Sequence, residues 1–176
     1  MTDYRRIYAP GSTWFFTVNL LERQNNNLLV EKIDLLRNAF SYVKKRKSFT
    51  INAVVIMPDH LHCVWTLPDN DTDYSSRWSL LKSYFSRSIP KNEHINKNRI
   101  KRRERGIWQR RFWAHWIVDQ NDFNQHIEYI HWNPVKHGYV ARVIEWQYSS
   151  FHRYVEQGIY PANWGHPGSF SIDANE

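Results

Sequence analysis

Residues 49–67 read FTINAVVIM, PD, HLHCVWTL, from Phe49 to Leu67, and this stretch decides the fold. Two runs rich in β-branched and aromatic residues flank Pro58 and Asp59, a pair suited to a tight turn. The pattern predicts two antiparallel strands, Phe49 to Met57 and His60 to Leu67. Alternate residues of a strand share a face. His60 and His62 therefore point one way, and Leu61 and Cys63 the other. The histidine pair starts its strand directly after the turn, at a rim of the sheet that a ligand can reach.

Working outward, Trp14 to Leu21 (WFFTVNLL) reads as a strand bounded by Pro10 and Gly11 on one side and Asn25 to Asn27 on the other. From Glu31 to Val43, the apolar residues Ile33, Leu36, Phe40 and Val43 recur at helical spacing. Lys44, Lys45, Arg46 and Lys47 follow, a positive end that suits the helix dipole. Beyond the hairpin, a polar loop from Pro68 to Tyr74 leads to a helix capped by Ser75 or Ser76 and ended by Pro90. Its stripe is Trp78, Leu81 and Phe85. Residues 91–106 are irregular and strongly basic. Trp108 to Val118 (WQRRFWAHWIV) predicts a fourth strand. Asp119 or Asn121 caps a last helix reaching Trp132, with Pro134 as the stop. Tyr139 to Glu176 reads as a short helix and an extended tail.

The order strand, helix, strand, strand, helix, strand, helix predicts an α+β chain. It is the ferredoxin-like split βαβ arrangement with an antiparallel sheet. The expected organisation is one domain over 1–176, with a core of about 4–140 and a tail of about 141–176.

Twenty-four Lys and Arg face seventeen Asp and Glu, a formal net charge of +7, and 16% of residues are aromatic. Excess positive charge favours a polyanionic partner. Aromatics can stack on unpaired bases, or simply fill the core. The lone cysteine, Cys63, excludes an intramolecular disulfide and a thiolate-based zinc cluster. The first ten residues lack the apolar stretch of a signal peptide. No apolar run approaches the ~20 residues that span a bilayer. The expected location is the cytoplasm.

Two neutral imidazoles side by side form a half-site for a divalent cation, or else a hydrogen-bonded pair. The next alternate position is Val64, so hydrolases built on three alternating histidines are disfavoured. In NDFNQHIEYIHWN (Asn121 to Asn133), Phe123, Ile127 and Ile130 form one apolar stripe and Tyr129 points away from it. Gln125 and Asn133 sit one turn before and after Tyr129. A surface tyrosine is the alternative. Lys97, Arg99, Lys101, Arg102, Arg103 and Arg105, continued by Arg110 and Arg111, suit phosphate contact or a solvated loop.

These stretches carry a resemblance. VVIMPDHLHCVW (Val54 to Trp65) resembles the His-hydrophobic-His segment of the HUH endonuclease superfamily. HIEYIHWNPVKHGYV (His126 to Val140) resembles the signature of its REP-associated tyrosine transposases, an IS200-like, single-tyrosine branch. YRRIYAPGSTWFFTVNL (Tyr4 to Leu20), YSSRW (Tyr74 to Trp78) and IWQRRFWAH (Ile107 to His115) match as well, so the similarity runs from Tyr4 to Trp164.

The resemblance implies a metal-dependent endonuclease or transposase that cleaves and rejoins single-stranded DNA through a 5′-phosphotyrosine. His60 and His62 match the metal ligands, and Tyr129 the nucleophile. Asn133 stands where relatives place a third polar ligand, often Gln; a helix cap is its other role. The implied cofactor is Mg²⁺ or Mn²⁺, and the implied partner is hairpin DNA of REP elements. Tyr139 and Tyr148 fall outside the matching position. By analogy, Arg5, Arg6 and the aromatic segment with Trp146, Phe151 and His152 touch DNA, or those aromatics pack a C-terminal helix onto the sheet. The implied protein is nucleoid-associated and a monomer or homodimer. Two competing readings are a REP-binding regulatory or architectural protein without cleavage, and a phosphodiesterase or RNA nuclease without a covalent step.

Overall fold

The computed structural model describes residues 10–93, 95, 97–102 and 104–165. Four strands, β1 (Thr13–Asn19), β2 (Thr50–Ile56), β3 (His60–Thr66) and β4 (Trp113–Trp116), form one sheet in the order β2-β3-β1-β4. Every neighbouring pair is antiparallel. The helices are α1 (Leu28–Glu31), α2 (Ile33–Arg46), α3 (Tyr74–Arg87), α4 (Lys97–Lys101), α5 (Gln120–Lys136) and α6 (Phe151–Glu156), with a 3-10 turn at Val143–Glu145. The order and pairing are those of the split βαβ arrangement that the pattern predicts.

Alternation along the strands divides the side chains between two layers. Trp14, Phe16 and Val18 of β1 join Leu61, Cys63 and Trp65 of β3 in one core. There they meet Leu36, Ala39 and Val43 of α2 and Trp78, Leu81 and Phe85 of α3. Trp65 stacks on Trp78 with ring centroids 4.2 Å apart. Phe15, Ala53, Val55 and Val64 face the other way, onto Ile127, Tyr129 and Ile130 of α5. His60 and His62 share that second face.

The C-terminal segment covers the free edge of β2, where open backbone groups would otherwise invite another strand. Tyr148 O accepts from Ile56 N at 2.8 Å, and Ser150 N donates to Val54 O at 2.8 Å. Trp146 Nε1 donates to Ile56 O, His152 bonds the Trp146 carbonyl, and Phe151 is fully buried. Phe151 thus packs on His131 of α5, while Trp146 and His152 are held by main-chain bonds and stay partly exposed. His131 of α5 anchors the segment through Ser150 Oγ at 2.9 Å.

Four local expectations are corrected. The strand over 108–118 shrinks to four residues, with Trp108 reduced to a lone bridge to Leu20. Trp108 is buried in the first core and Lys82 Nζ takes the Gln109 carbonyl, so the backbone leaves the ladder there. The α3 cap is Asp73, whose side chain accepts from Ser76 N, not Ser75 or Ser76. Within the basic stretch, Lys97–Lys101 is helical. Finally, Pro134 does not stop α5, which runs on to Lys136. The stop is Gly138 at φ +71°, with Tyr139 N on Pro134 O and Gly138 N on Val135 O, both at 3.0 Å. That pair of bonds is a Schellman ending, and the left-handed backbone at its centre favours glycine.

Candidate functional site

The site grows from the register of β1 on β3. Thr17 pairs with His62 and Asn19 with His60, all on the face that α5 covers. The Pro58-Asp59 turn starts β3 with His60, whose ring lies 5.0 Å from that of His62. Both rings are held from behind. His62 Nδ1 is 2.8 Å from Thr17 Oγ1, and His60 Nδ1 is 2.6 Å from Asp59 Oδ1. Asp59 in turn accepts from Arg23 Nε at 2.6 Å. Burial alone would raise the Asp59 pKa, but its bonds with His60 and Arg23 outweigh this and bring it to about 2. The carboxylate stays charged and orients the imidazole. For His62, burial and then the charges of His60, His137, Lys136 and Arg23 hold the pKa well below its ordinary value. His62 is neutral, the form that binds metals.

Helix α5 supplies the facing side. Asp119 caps it by accepting from Asp122 N. Tyr129, Asn133 and His137 follow at four-residue intervals, one above another on one face. The Tyr129 ring lies 5.3 Å from His62, and the His137 ring 5.4 Å from His60. Asn133 lies between these two contacts and is fully buried. Tyr129 does not stand out in solvent as its offset from the apolar stripe predicts; it is 6% exposed. Because α5 is pressed between the sheet and the C-terminal segment, more than one of its faces is covered. Lys136 Nζ donates to Tyr129 Oη at 3.5 Å and lies 4.9 Å from the ring centroid.

The buried polar atoms test whether a cation fits here. His60 Nε2, His62 Nε2, Asn133 Oδ1 and Asn19 Oδ1 are all buried without a hydrogen-bond partner. Unsatisfied groups of this kind are costly and uncommon. With both Nδ1 atoms engaged, the two Nε2 atoms are left to a ligand, as in metal sites where an outer partner fixes each imidazole. Imidazole nitrogen and amide oxygen together suit a divalent cation.

The remaining candidates are dispersed. Arg5, Arg6 and Arg103 lie outside the described residues. Lys101, Arg102, Arg110 and Arg111 are exposed. Arg105 is not a free surface cation. It bonds Glu93 and the carbonyls of Ser86, Ile89 and Pro90, tying itself and Glu93 to the end of α3. Lys82, Arg87, Lys91, Arg99 and Arg110 line a cavity of about 610 Å³ between α3 and residues 104–112. Sequence reasoning missed Thr17, Asp59, Asn19, Lys136 and His137, whose roles depend on cross-strand register and on α5 passing Pro134. It also missed Trp113, which pairs with Thr17 on the site's face and is 54% exposed.

Comparison with known proteins gives the family. The family described as transposase IS200 like matches residues 18–133. A REP-associated tyrosine transposase of Escherichia coli (strain K12) is 44% identical over 164 residues, 93% of this chain and 91% of its own length. A putative REP-associated tyrosine transposase of Haemophilus influenzae (strain ATCC 51907 / DSM 11121 / KW20 / Rd) is 46% identical over 166 residues, 94% of each chain. A solved structure of a REP-associated tyrosine transposase bound to a REP hairpin superposes with a TM-score of 0.85 at 42% identity, covering 100% of this chain and 98% of that one. The chain belongs to the IS200-like transposases, and among them to the REP-associated tyrosine transposases.

Proposed function

We propose that this chain is a metal-dependent single-stranded DNA endonuclease and transposase that cleaves and rejoins REP-type hairpin DNA, with Tyr129 as its nucleophile. The reading rests above all on one observation: the Tyr129 ring lies against His62, beside two buried imidazole nitrogens that lack partners.

His60, His62 and Asn133 would hold Mg²⁺ or Mn²⁺. When bound, such a cation polarises a phosphate and offsets the charge that develops on it. The rest is the chain's own chemistry. The Tyr129 oxygen attacks phosphorus, an O–P bond forms and the bond from phosphorus to the 3′ oxygen breaks. The products are a 5′-phosphotyrosine and a 3′-hydroxyl, which takes up a proton as it leaves. In the reverse step the 3′-hydroxyl attacks the phosphotyrosine, so resealing needs no nucleotide cofactor. Tyrosine is mostly protonated at neutral pH, with a free pKa near ~10. Lys136 is placed to favour the phenolate by charge and hydrogen bond.

Phosphate contact would come from the basic cavity beside α3, from Lys101, Arg102, Arg110 and Arg111 with Arg103 in the same stretch, and from Arg5 and Arg6 of the N-terminal arm. That cavity opens on the α3 side of the sheet and Tyr129 stands on the α5 side. A strand joining them passes the β4 edge, where exposed Trp113 offers a stacking surface for a base. One chain carries all the groups of the site, which favours a competent monomer. A protein acting on chromosomal hairpins works in the cytoplasm, at the nucleoid.

The test is incubation with an end-labelled single-stranded REP hairpin and Mn²⁺ or Mg²⁺, followed by denaturing electrophoresis. A covalent protein–DNA band is expected with the wild type and none with Tyr129→Phe, which should still bind the hairpin. Hairpin binding by the wild type without any adduct would instead favour a non-cleaving regulatory protein. Cleavage that survives Tyr129→Phe would point to a nuclease without a covalent step.

A further inference from the structure

A second group of metal-type ligands lies apart from the His60 and His62 pair. Asp122 and His126 stand one turn apart on α5, and His115 comes from β4. Their donor atoms all lie within 4.8 Å of one another. His115 Nε2 is 2.9 Å from Asp122 Oδ2, and His126 Nδ1 is 2.9 Å from Asp122 Oδ1. The two imidazole rings lie nearly parallel, 4.7 Å apart. The Phe15 ring separates the two groups, with His62 at 5.7 Å and His126 at 4.6 Å.

We propose that His115, Asp122 and His126 form a second cation site, selective for a borderline transition metal of the Zn²⁺ class, which fastens the first turns of α5 to the edge strand β4. Two imidazoles and one carboxylate are a ligand set that Zn²⁺ takes, with an open position for water. Ligands at ~2.0–2.1 Å from a tetrahedral ion stand about 3.3 Å from one another. The two His–Asp122 separations, 2.9 Å each, fall just short of that, and all three donors lie within 4.8 Å, so side-chain rotations bring them to one ion. The outer shell is in place: Val118 N donates to Asp122 Oδ2 at 2.9 Å and Phe15 packs on His126. The side chains of His115, Asp122 and His126 are 34%, 15% and 21% exposed, which leaves an approach from solvent. Without metal, His126 Nδ1 shares its proton with Asp122, including its backbone carbonyl at 2.8 Å. Binding replaces the protons on His115 Nε2 and His126 Nδ1 and releases them to water.

The consequence reaches the first site by a short path. Tyr129 lies three residues beyond His126 on the same helix, and β4 holds to the sheet by only four residues. An ion bridging β4 and α5 would fix the helix that carries Tyr129 to the strand beside Phe15. The proposal does not depend on the DNA chemistry, since metal stoichiometry is measured without DNA.

The test uses the full chain, stripped with a chelator and titrated with Co²⁺ or Zn²⁺ alone, by calorimetry and by the visible Co²⁺ spectrum. Removing the first pair with His60→Ala/His62→Ala should leave one bound equivalent. Adding Asp122→Asn or His115→Gln to that background should abolish it, with circular dichroism confirming the fold. Zn²⁺ about a hundredfold above Kd should raise Tm of the double variant by roughly 5–10 °C, and this rise should vanish with the third substitution. No bound metal in the double variant would overturn the proposal. So would binding that Asp122→Asn and His115→Gln leave unchanged.

Discussion

Thr17 Oγ1 and His62 Nδ1 face each other at 2.8 Å across the β1–β3 ladder, with Thr17 and His62 as direct Cα partners. A proton on Nδ1 donated to Thr17 leaves the Nε2 lone pair pointing away from the strand. Outer partners of this type commonly change metal affinity ~10–100-fold when removed. Thr17→Val keeps the shape and deletes the acceptor. It should raise the Mn²⁺ concentration at half-maximal adduct formation by a factor in that range, with near-normal yield at saturating metal. An unchanged metal requirement would remove Thr17 from the site.

Asn133 distinguishes a functional amide from a structural one. Both its side-chain atoms are buried without partners, and the helix ending falls to Gly138 rather than to an Asn133 cap. A buried amide without hydrogen bonds costs about 1–3 kcal/mol. Replacing it with a similar apolar side chain should relieve that cost. Asn133→Leu is therefore expected to be as stable as the wild type or more so in urea unfolding, while adduct formation falls at least tenfold. Lost stability with full activity would assign Asn133 to the fold.

Away from the site, Asp73 caps α3 by accepting from Ser76 N, and also contacts the Ser76 hydroxyl and Lys47. Burial would raise its pKa, but the Ser76 and Lys47 interactions prevail and lower it to about 2 from 3.8. The folded pKa lies below the unfolded one. The contribution is thus complete above pH 3.8 and is lost as pH falls toward 2. Asp73→Ala should cost about 1 kcal/mol near neutrality, the usual worth of an N-cap. The gap from the wild type in urea unfolding should close across that acid window. A gap independent of pH would mean that Asp73 acts by packing.

How legible the molecule was in its sequence depended on the range of the cause. The hairpin at Pro58-Asp59, the shared face of His60 and His62, and the strand–helix order follow from period-two and period-3.6 patterns along the chain. They are the elements found. The environment of Tyr129 was misread: Tyr129 is buried because its face of α5 lies on the sheet against Phe15 and His62, while the C-terminal segment covers a neighbouring face through His131 and Ser150. No local pattern in residues 121–133 carries those contacts. Pro134 read as a stop because its missing N–H is a local fact, whereas the continuation to Gly138 depends on a helix already held by packing. Thr17, Asp59 and Asn19 become visible only once β1 is placed beside β3 in a particular register.

The basic residues make the same distinction between composition and position, and it can be measured. Arg105 belongs to the run that suggested phosphate contact, yet its guanidinium is spent on Glu93 and three main-chain carbonyls at the end of α3. Glu93 is held at a pKa of about 2, with the Arg105 hydrogen bond as the main cause. Arg105→Ala should lower stability by roughly 2–3 kcal/mol, because it strips hydrogen bonds made by a charged group. Its effect on hairpin affinity should be small wherever the protein remains folded. Arg110 is instead 68% exposed and holds Glu104 only at 3.8 Å. Arg110→Ala should leave unfolding unchanged, weaken hairpin binding and reduce the slope of log K against log salt by about 0.7–0.9, the value for one lost phosphate contact. The opposite pattern, with the salt slope falling in Arg105→Ala and not in Arg110→Ala, would mean that DNA draws Arg105 out of its internal bonds.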